Sequence, residues 1–467
     1  MTIPTRPAAR ACSDRGKPTG EPLQPASTPA DLPTMLMPRL SRRHAVAATS
    51  LAVMLTTLTS VPASAATLRT TAPAQPVQQT ATVVGISDGD TVYVDIWGDG
   101  STKRKRVRLT GINAAEVNHG VGDHPDQCHG PEAEERLRQL VYRKKVQLRA
   151  LDAGSTSGSR LRRTVLVEQP NGGLVNTSKV MVAEGHALWM PNETEYLDNA
   201  ALAVLAAQAA GRKVGLHDPD YCGYGSAQSV ALDVRVRWDA DAKDGRNLND
   251  EYVIVTNTSA FDLDLTGWVL RDSFIKQYSF PRGTRLRAGR TLLVHVGSGQ
   301  DNGRHLYMGE TSPKFNNVDW SRGIGDGAYI FDPDGDLRFS FLYPCQLNCV
   351  NPAQDRFVLG EVNYDAPGGD SNNPGGEFIK LHNRGYTAVP LGQYLLRFGP
   401  YSYSFMPGAT LAPGATVKVV MGKGRNTSTH KYVGKPHGVL SNSGGRAEIA
   451  TYDDVVLDCA AWKAGSC

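Results

Sequence analysis

The sequence predicts a multidomain, mainly β protein, in which one mixed domain precedes two β-sandwiches. The chain has 467 residues, a length that suits three or four ordinary domains. Residues 81–225 alternate strand-like and helical patterns, whereas residues 226–467 hold aromatic and β-branched runs between Gly, Asp, Asn and Pro clusters. The second region also repeats itself at a constant offset, which indicates two copies of one module.

Bulk composition is that of an ordinary globular protein. Hydrophobic residues make up 40% and charged residues 21% of the chain, which excludes a disordered polymer. The formal net charge is only +4. Bulk charge therefore does not indicate a nucleic-acid partner, and any basic surface that binds one must be local.

The N-terminal segment is predicted to be an export signal. Arg42 and Arg43 precede an apolar run over residues 45–58, and the segment closes on Val61-Pro-Ala-Ser-Ala-Ala66. A charged region, a short apolar region and an A-x-A site are typical of a secretory signal peptide, here cut after Ala65. The arginine pair resembles a twin-arginine signal, so both the general and the twin-arginine export routes stay open.

We therefore expect a secreted protein without a membrane span, because the apolar run is too short to cross a bilayer and no second run follows. The predicted segments are a leader with signal peptide, a linker, the mixed domain and two sandwiches, over residues 1–65, 66–80, 81–225, 226–350 and 351–467.

The cysteines agree with export, because an even number follows the predicted cleavage site: Cys128, Cys222, Cys345, Cys349, Cys459 and Cys467. Disulfides form in oxidising compartments, although sequence alone does not determine their pairing. Short separations favour Cys345–Cys349 and Cys459–Cys467, which leaves Cys128–Cys222. A metal site is the alternative, but no His–Cys spacing supports zinc.

The repeat is visible at matched positions of the second region. Glu251 and Glu377, Asn257 and Asn383, and Trp268 and Tyr394 share an offset of 126 residues, which becomes 125 later in the copies. Each copy spans about 110 residues of short strands, the size of an immunoglobulin-like sandwich.

The first copy has Glu251-Tyr252, then Leu265-Thr-Gly-Trp268, then Phe280-Pro-Arg-Gly283. These residues resemble the lamin tail domain, and the resemblance covers most of both copies. It implies that two β-sandwich modules follow the first domain. Their partners are open at this point: nucleic acid, cell wall and protein are all compatible with the pattern.

The mixed domain contains a set of charged residues suited to phosphodiester chemistry. Asp90 follows the first strand, Arg108 lies on a later strand, and Asn113, Ala114 and Glu116 occupy the loop beyond it. Hydrolysis of a phosphodiester requires neutralisation of the phosphate, an oriented water and a base. Carboxylate, amide and main-chain oxygens suit Ca²⁺, and a guanidinium can donate two hydrogen bonds to a phosphate.

Together with Gly130-Pro-Glu-Ala133 and Arg163, this set resembles the staphylococcal nuclease family over about residues 81–217. The resemblance implies an OB-fold β-barrel with three helices that cuts DNA, RNA or both with one Ca²⁺. It implies that the metal ligands are Asp90, Asn113 and the Ala114 main chain, that Glu116 is the general base, and that the phosphate-binding residues are Arg108 and Arg163. A shift of one residue would replace Arg163 by Arg162.

The sequence departs from the family pattern at three places, and two of them, Asn113 and Leu161, favour a second hypothesis. Asn113 stands where the family has Asp, Ala114-Ala115 replaces Thr-Pro, and Leu161 replaces an aromatic residue. The amide removes one negative charge from the metal site and should weaken Ca²⁺ binding. The second hypothesis is therefore a catalytically degenerate fold that acts as an extracellular scaffold and binds nucleic acid or protein. The basic run over residues 103–106 is compatible with phosphate binding under both hypotheses.

Overall fold

The computed structural model describes residues 76–119, 126–223, 229–241, 243–274, 277–369 and 372–467. The predicted leader, the signal peptide with its cut after Ala65, and residues 66–75 of the predicted linker lie outside these ranges. Within the described ranges, no helix is long and apolar enough to cross a membrane.

The first domain is a closed five-stranded β-barrel with three helices, which confirms the predicted OB-fold class. Its elements are β1 (Val77–Asp88), β2 (Thr91–Ile96), β3 (Lys105–Leu109), β4 (Ile112–Ala114), α1 (Gly130–Val141), β5 (Lys145–Ala150), β6 (Thr156–Ser157), β7 (Arg160–Glu168), β8 (Leu174–Asn176), α2 (Thr177–Ala183), β9 (Ala187–Trp189) and α3 (Asn199–Arg212). The strand order is β3-β2-β1-β5-β7, and a parallel pairing between β3 and β7 closes the barrel.

Alternation along the strands fills the barrel interior. Val92, Val94 and Ile96 of β2 point into the core, because successive side chains of a strand face opposite sides. The predicted amphipathic helix is present as α1, and it packs Ala133, Leu137 and Val141 against the same core. The barrel begins earlier than expected: Val77–Thr80, assigned to the linker, pair with β5. These polar residues join a strand because backbone hydrogen bonds do not require apolar side chains.

Two sandwiches follow, and each places two four-stranded sheets around its own core. The first contains β10 (Leu232–Arg237), β11 (Tyr252–Asn257), β12 (Leu263–Asp264), β13 (Val269–Arg271), β14 (Gln277–Ser279), β15 (Arg285–Leu286), β16 (Thr291–His295), β17 (His305–Tyr307), β18 (Asp326–Phe331) and β19 (Leu337–Tyr343). The second contains β20 (Phe357–Asn363), β21 (Phe378–Asn383), β22 (Val389–Pro390), β23 (Tyr394–Phe398), β24 (Tyr401–Ser404), β25 (Thr410–Leu411), β26 (Thr416–Val420), β27 (His430–Tyr432), β28 (Gly444–Thr451) and β29 (Val456–Lys463).

The two copies have the same topology. The sheets run β10-β11-β16-β17 and β14-β13-β18-β19 in the first, and β20-β21-β26-β27 and β24-β23-β28-β29 in the second. Trp268 and Tyr394 are both buried in the cores, as predicted for Trp268. The offset therefore marks a structural repeat.

The matched polar residues make matched contacts. The buried Glu251 carboxylate accepts hydrogen bonds from the backbone N–H groups of Lys314 and Phe315, and the Glu377 carboxylate accepts them from Val439 and Leu440. A buried carboxylate needs such partners, so this position is fixed by the need to hold a loop against the core. Burial raises the pKa of Glu251 to about 8.

The structure forms the three disulfides that locality favours: Cys128–Cys222, Cys345–Cys349 and Cys459–Cys467. The first joins the loop before α1 to the end of the barrel domain. It lies against the first sandwich, because the Cys222 backbone N–H donates to Asp336 Oδ1 at 2.6 Å.

The first sandwich packs directly on the barrel domain. Leu188 and Leu216 of the barrel form one buried apolar cluster with Tyr329 and Leu337 of the sandwich. The Arg338 guanidinium, which is almost fully buried, donates to the Pro219 carbonyl across the same boundary. The interface therefore combines a buried apolar cluster with a buried arginine.

Candidate active site

The turn between β1 and β2 places Asp90 beside β4. A Cβ atom at Gly89 would lie 2.7 Å from the Cβ atoms of both Ala114 and Ala133, so only glycine lets the turn approach β4 and α1 this closely. Asp88 Oδ1 accepts the Asp90 backbone N–H at 3.0 Å, which fixes the turn. Asp90 Oδ2 in turn accepts the Ala114 backbone N–H at 2.9 Å.

Arg108 joins the two predicted side-chain ligands. Its guanidinium donates to Asp90 Oδ1 and, at 2.8 Å, to Asn113 Oδ1. All three side chains are at most 2% exposed. Burial raises the pKa of Asp90, and the adjacent Arg108 opposes that rise. Arg108 Nε is buried without a hydrogen-bond partner among the described residues, so one donor of this guanidinium remains for a further acceptor.

The oxygens predicted to bind Ca²⁺ thus meet around a cationic side chain. Asp90 Oδ1 also accepts from the Thr91 hydroxyl at 2.9 Å, so both carboxylate oxygens are already hydrogen-bonded. Ca²⁺ takes about six to eight oxygen ligands, and in the described ranges no group of three or more His, Cys, Asp or Glu side chains is placed to hold a metal. In this arrangement Asp90 Oδ1 and Asn113 Oδ1 both accept hydrogen bonds from the Arg108 guanidinium, so a calcium ion bound by these oxygens would have to displace it.

Glu116 lies on the loop after β4, and its backbone is held on both sides by Gln127. Its N–H donates to Gln127 Oε1 at 3.1 Å, and its carbonyl accepts the Gln127 N–H at 3.0 Å. Burial and the nearby Asp88 raise the pKa of the Glu116 carboxyl, whereas the guanidinium groups of Arg108, Arg160 and Arg271 oppose the rise. The positive charges of three arginines therefore act on this carboxylate.

The second arginine of this group in the barrel is Arg160, which the sequence analysis did not identify. Its Nη1 donates to the Thr91 hydroxyl at 3.1 Å, next to Asp90. The Arg163 guanidinium instead donates to the main-chain carbonyls of Ala153, Ser155 and Arg162. The structure thus brings Asp90, Arg108, Asn113, Ala114 and Glu116 together. Arg163, on β7, instead directs its guanidinium to the loop before that strand.

The sequence contains signals for some of the site residues that the sequence analysis did not identify. Asp88 belongs to the Asp-Gly-Asp turn, and Arg160 begins the run Arg160-Leu-Arg-Arg163. Arg271 and Ser273 lie in the first sandwich, where no local pattern connects them with the barrel.

A basic strip leads away from the site along β2 and β3. Tyr93 pairs with Arg106 across these strands, and the guanidinium carbons of Arg104 and Arg106 lie 4.5 and 5.7 Å from its ring centroid. Tyr93 is two residues beyond Thr91, the partner of Arg160. We call Tyr93, Arg104, Arg106 and Arg160 the basic strip.

Comparison with protein families identifies two families along the chain. Residues 106–218 match the family described as staphylococcal nuclease homologue, and residues 235–343 and 351–462 match the lamin tail domain. The first match includes Arg108, Asn113 and Glu116, whereas Asp90 precedes it. No curated protein matches the chain.

Proposed function

Because the chain carries a staphylococcal nuclease homologue domain followed by two lamin tail domains, we propose that it is a secreted nuclease. Its reaction is the hydrolysis of phosphodiester bonds in DNA, RNA or both. The observation that carries the proposal is that the barrel brings Arg108 and Arg160 together at the Asp90–Thr91 turn, where their charges act on the Glu116 carboxylate. The predicted signal peptide and the three disulfides support secretion. The biological use is the breakdown of extracellular nucleic acid.

The side chains of this site have two tasks in the proposed hydrolysis: the arginines neutralise the phosphate charge, and Glu116 transfers a proton. The Arg160 guanidinium binds the non-bridging phosphate oxygens, and Arg108 joins it by exchanging its contacts with Asp90 and Asn113 for the phosphate. Both stabilise the charge that develops in the transition state. Glu116 accepts a proton from the attacking water. The new P–O bond forms from that water, and the leaving oxygen departs with a proton from solvent.

Calcium dependence is a separate part of the proposal and rests on the family resemblance. Because Asp90 and Asn113 are hydrogen-bonded to Arg108, this mechanism routes no step through a metal ion. The same contact favours the second candidate function, a non-catalytic scaffold that binds nucleic acid.

Digestion of single- and double-stranded DNA and of RNA, with Ca²⁺ or with a chelator, tests these proposals together. We expect cleavage with Ca²⁺ and at least a hundredfold less with chelator, since loss of one strong electrostatic contact costs about 10²- to 10³-fold. Equal cleavage in both conditions would refute the calcium dependence and support the nuclease activity. Binding without cleavage, in every condition, would establish the scaffold.

The basic strip is expected to bind the substrate strand beside the site. Stacking of one base on an aromatic side chain is worth about 1–3 kcal/mol, so Tyr93→Ala should weaken binding of a short oligonucleotide by roughly tenfold. Fluorescence anisotropy measures the change. Tyr142→Ala is the matched control, because Tyr142 also lies beside two guanidinium groups, those of Arg138 and Arg143, but on the barrel surface after α1. Equal losses in the two variants would rule out a specific role for the strip.

A further inference from the structure

The first sandwich forms part of the wall of the candidate site. Asn113 Nδ2 donates to the Ser273 carbonyl at 3.2 Å, so the loop after β13 lies on a residue that also contacts Arg108. Arg271 lies two residues before Ser273. Its positive charge attracts the Glu116 carboxylate and repels Arg108. The site is therefore shared between two domains.

A cavity of about 300 Å³ opens beside this contact. The barrel contributes Asn113, Ala114 and Gln127 to its lining, and the sandwich contributes Val269, Arg271 and Gln277. This volume is at the lower end of the range of small-molecule sites, which suits one nucleotide. The lining combines apolar surface for a base with the Arg271 guanidinium for a phosphate. Amide groups and the carboxyl groups of Asp126, Asp332 and Asp334 also line it, and these carboxylates accept hydrogen bonds from the amino groups of a base.

Arg271 is held in place by its own loop. Its Nη2 donates to the Phe274 carbonyl at 2.8 Å and its Nε to the Asp272 carbonyl at 3.3 Å. The side chain of Asp272 lies 3.2 Å from Lys314 Nζ, so this carboxylate is shared with a second cation. The Arg271 guanidinium is thus oriented before any substrate binds, which limits the entropy lost on binding.

We propose that Arg271 of the first sandwich binds a phosphate that flanks the scissile phosphate, while the attached nucleoside enters the interdomain cavity. The first lamin tail domain is then a substrate-binding part of the nuclease and not only an appended module. The inference rests on the proposed function for the identity of the substrate, because a nuclease site is what gives the cavity a nucleotide as its ligand.

The test measures binding of a fluorescent, single-stranded oligonucleotide of 12 nucleotides to the full-length protein over a range of salt concentrations. All variants carry Glu116→Gln, which prevents hydrolysis during the measurement. Arg271→Gln should weaken binding about tenfold at low salt. It should also reduce the slope of log affinity against log salt by about 0.7, since one phosphate contact is lost. Arg271→Lys should retain the slope.

Arg237→Gln is the matched control, because it removes another buried arginine of the same sandwich, whose partners Asp241 and Ser402 lie outside the cavity lining. A purely structural role for Arg271 predicts that both variants weaken binding equally without a change in slope, and this result would overturn the proposal. Gln277→Glu provides a second measurement if Arg271→Gln fails to fold, since Gln277 is exposed at the cavity rim. It should weaken binding, and unchanged binding would also overturn the proposal.

The outcome is independent of the proposed reaction. A reduced slope in Arg271→Gln, together with no cleavage by the parent protein, would support the binding role and refute the nuclease. Cleavage by the parent protein, together with an unchanged slope in Arg271→Gln, would support the nuclease and refute the binding role of Arg271.

Discussion

Glu116→Gln is expected to slow phosphodiester hydrolysis by about 10²- to 10⁴-fold, the usual contribution of a positioned general base. The amide is nearly isosteric with the carboxylate but does not accept a proton from water. Because the substitution removes a negative charge from a site that binds phosphate, KM should stay the same or fall. Initial rates on a fluorogenic oligonucleotide separate the effect on kcat from the effect on KM.

Glu132→Gln is the control for this substitution. Glu132 lies exposed in the first turn of α1, so its replacement removes a carboxylate near the barrel without touching the site. We expect it to retain the parent rate. If Glu116→Gln digests nucleic acid as fast as Glu132→Gln, the assignment of the base is wrong.

Truncation after residue 225 is expected to destabilise the barrel domain by several kcal/mol. The sandwich covers Leu188 and Leu216, which are 3% and 7% exposed in the full chain. Full exposure of a leucine costs about 1.5–3 kcal/mol. The truncation also removes Ser273, the acceptor of the Asn113 side-chain amide. The fragment should therefore unfold at lower denaturant concentration and hydrolyse substrate more slowly than the full chain.

Urea unfolding followed by hydrogen exchange of peptides from the barrel domain measures this difference, because the six tryptophans of the chain also report on the sandwiches. The control is a chain that ends after residue 350, which removes only the second sandwich and leaves the cluster around Leu188 and Leu216 intact. We expect this shorter chain to keep the stability of the barrel. A fragment ending at residue 225 with full stability and full activity would show that the first sandwich is only an attachment.

Much of the fold could be predicted from the sequence, because its signals are local or periodic. Alternating Val92 and Val94 indicate a strand with one buried face, and Ala133 and Leu137 on one side of a helix indicate a packed α1. The sandwich repeat was detectable because a buried carboxylate at Glu251 and Glu377 is required by the same loop contact in each copy. Patterns of this kind depend on neighbours in sequence or on copies of the same structure.

The sequence by itself determined the domain order and the presence of two copies of the sandwich module. It also determined the group formed by Asp90, Arg108, Asn113 and Glu116, since residues on adjacent strands and turns come together whenever the barrel closes. The tertiary structure alone decided which cations face Glu116. Guanidinium groups sit on long, flexible side chains, so spacing along β7 did not distinguish Arg160 from Arg163. Arg271 reaches the site only because the first sandwich packs on Leu188 and Leu216, and burial of apolar surface between domains leaves no periodic signal in either one.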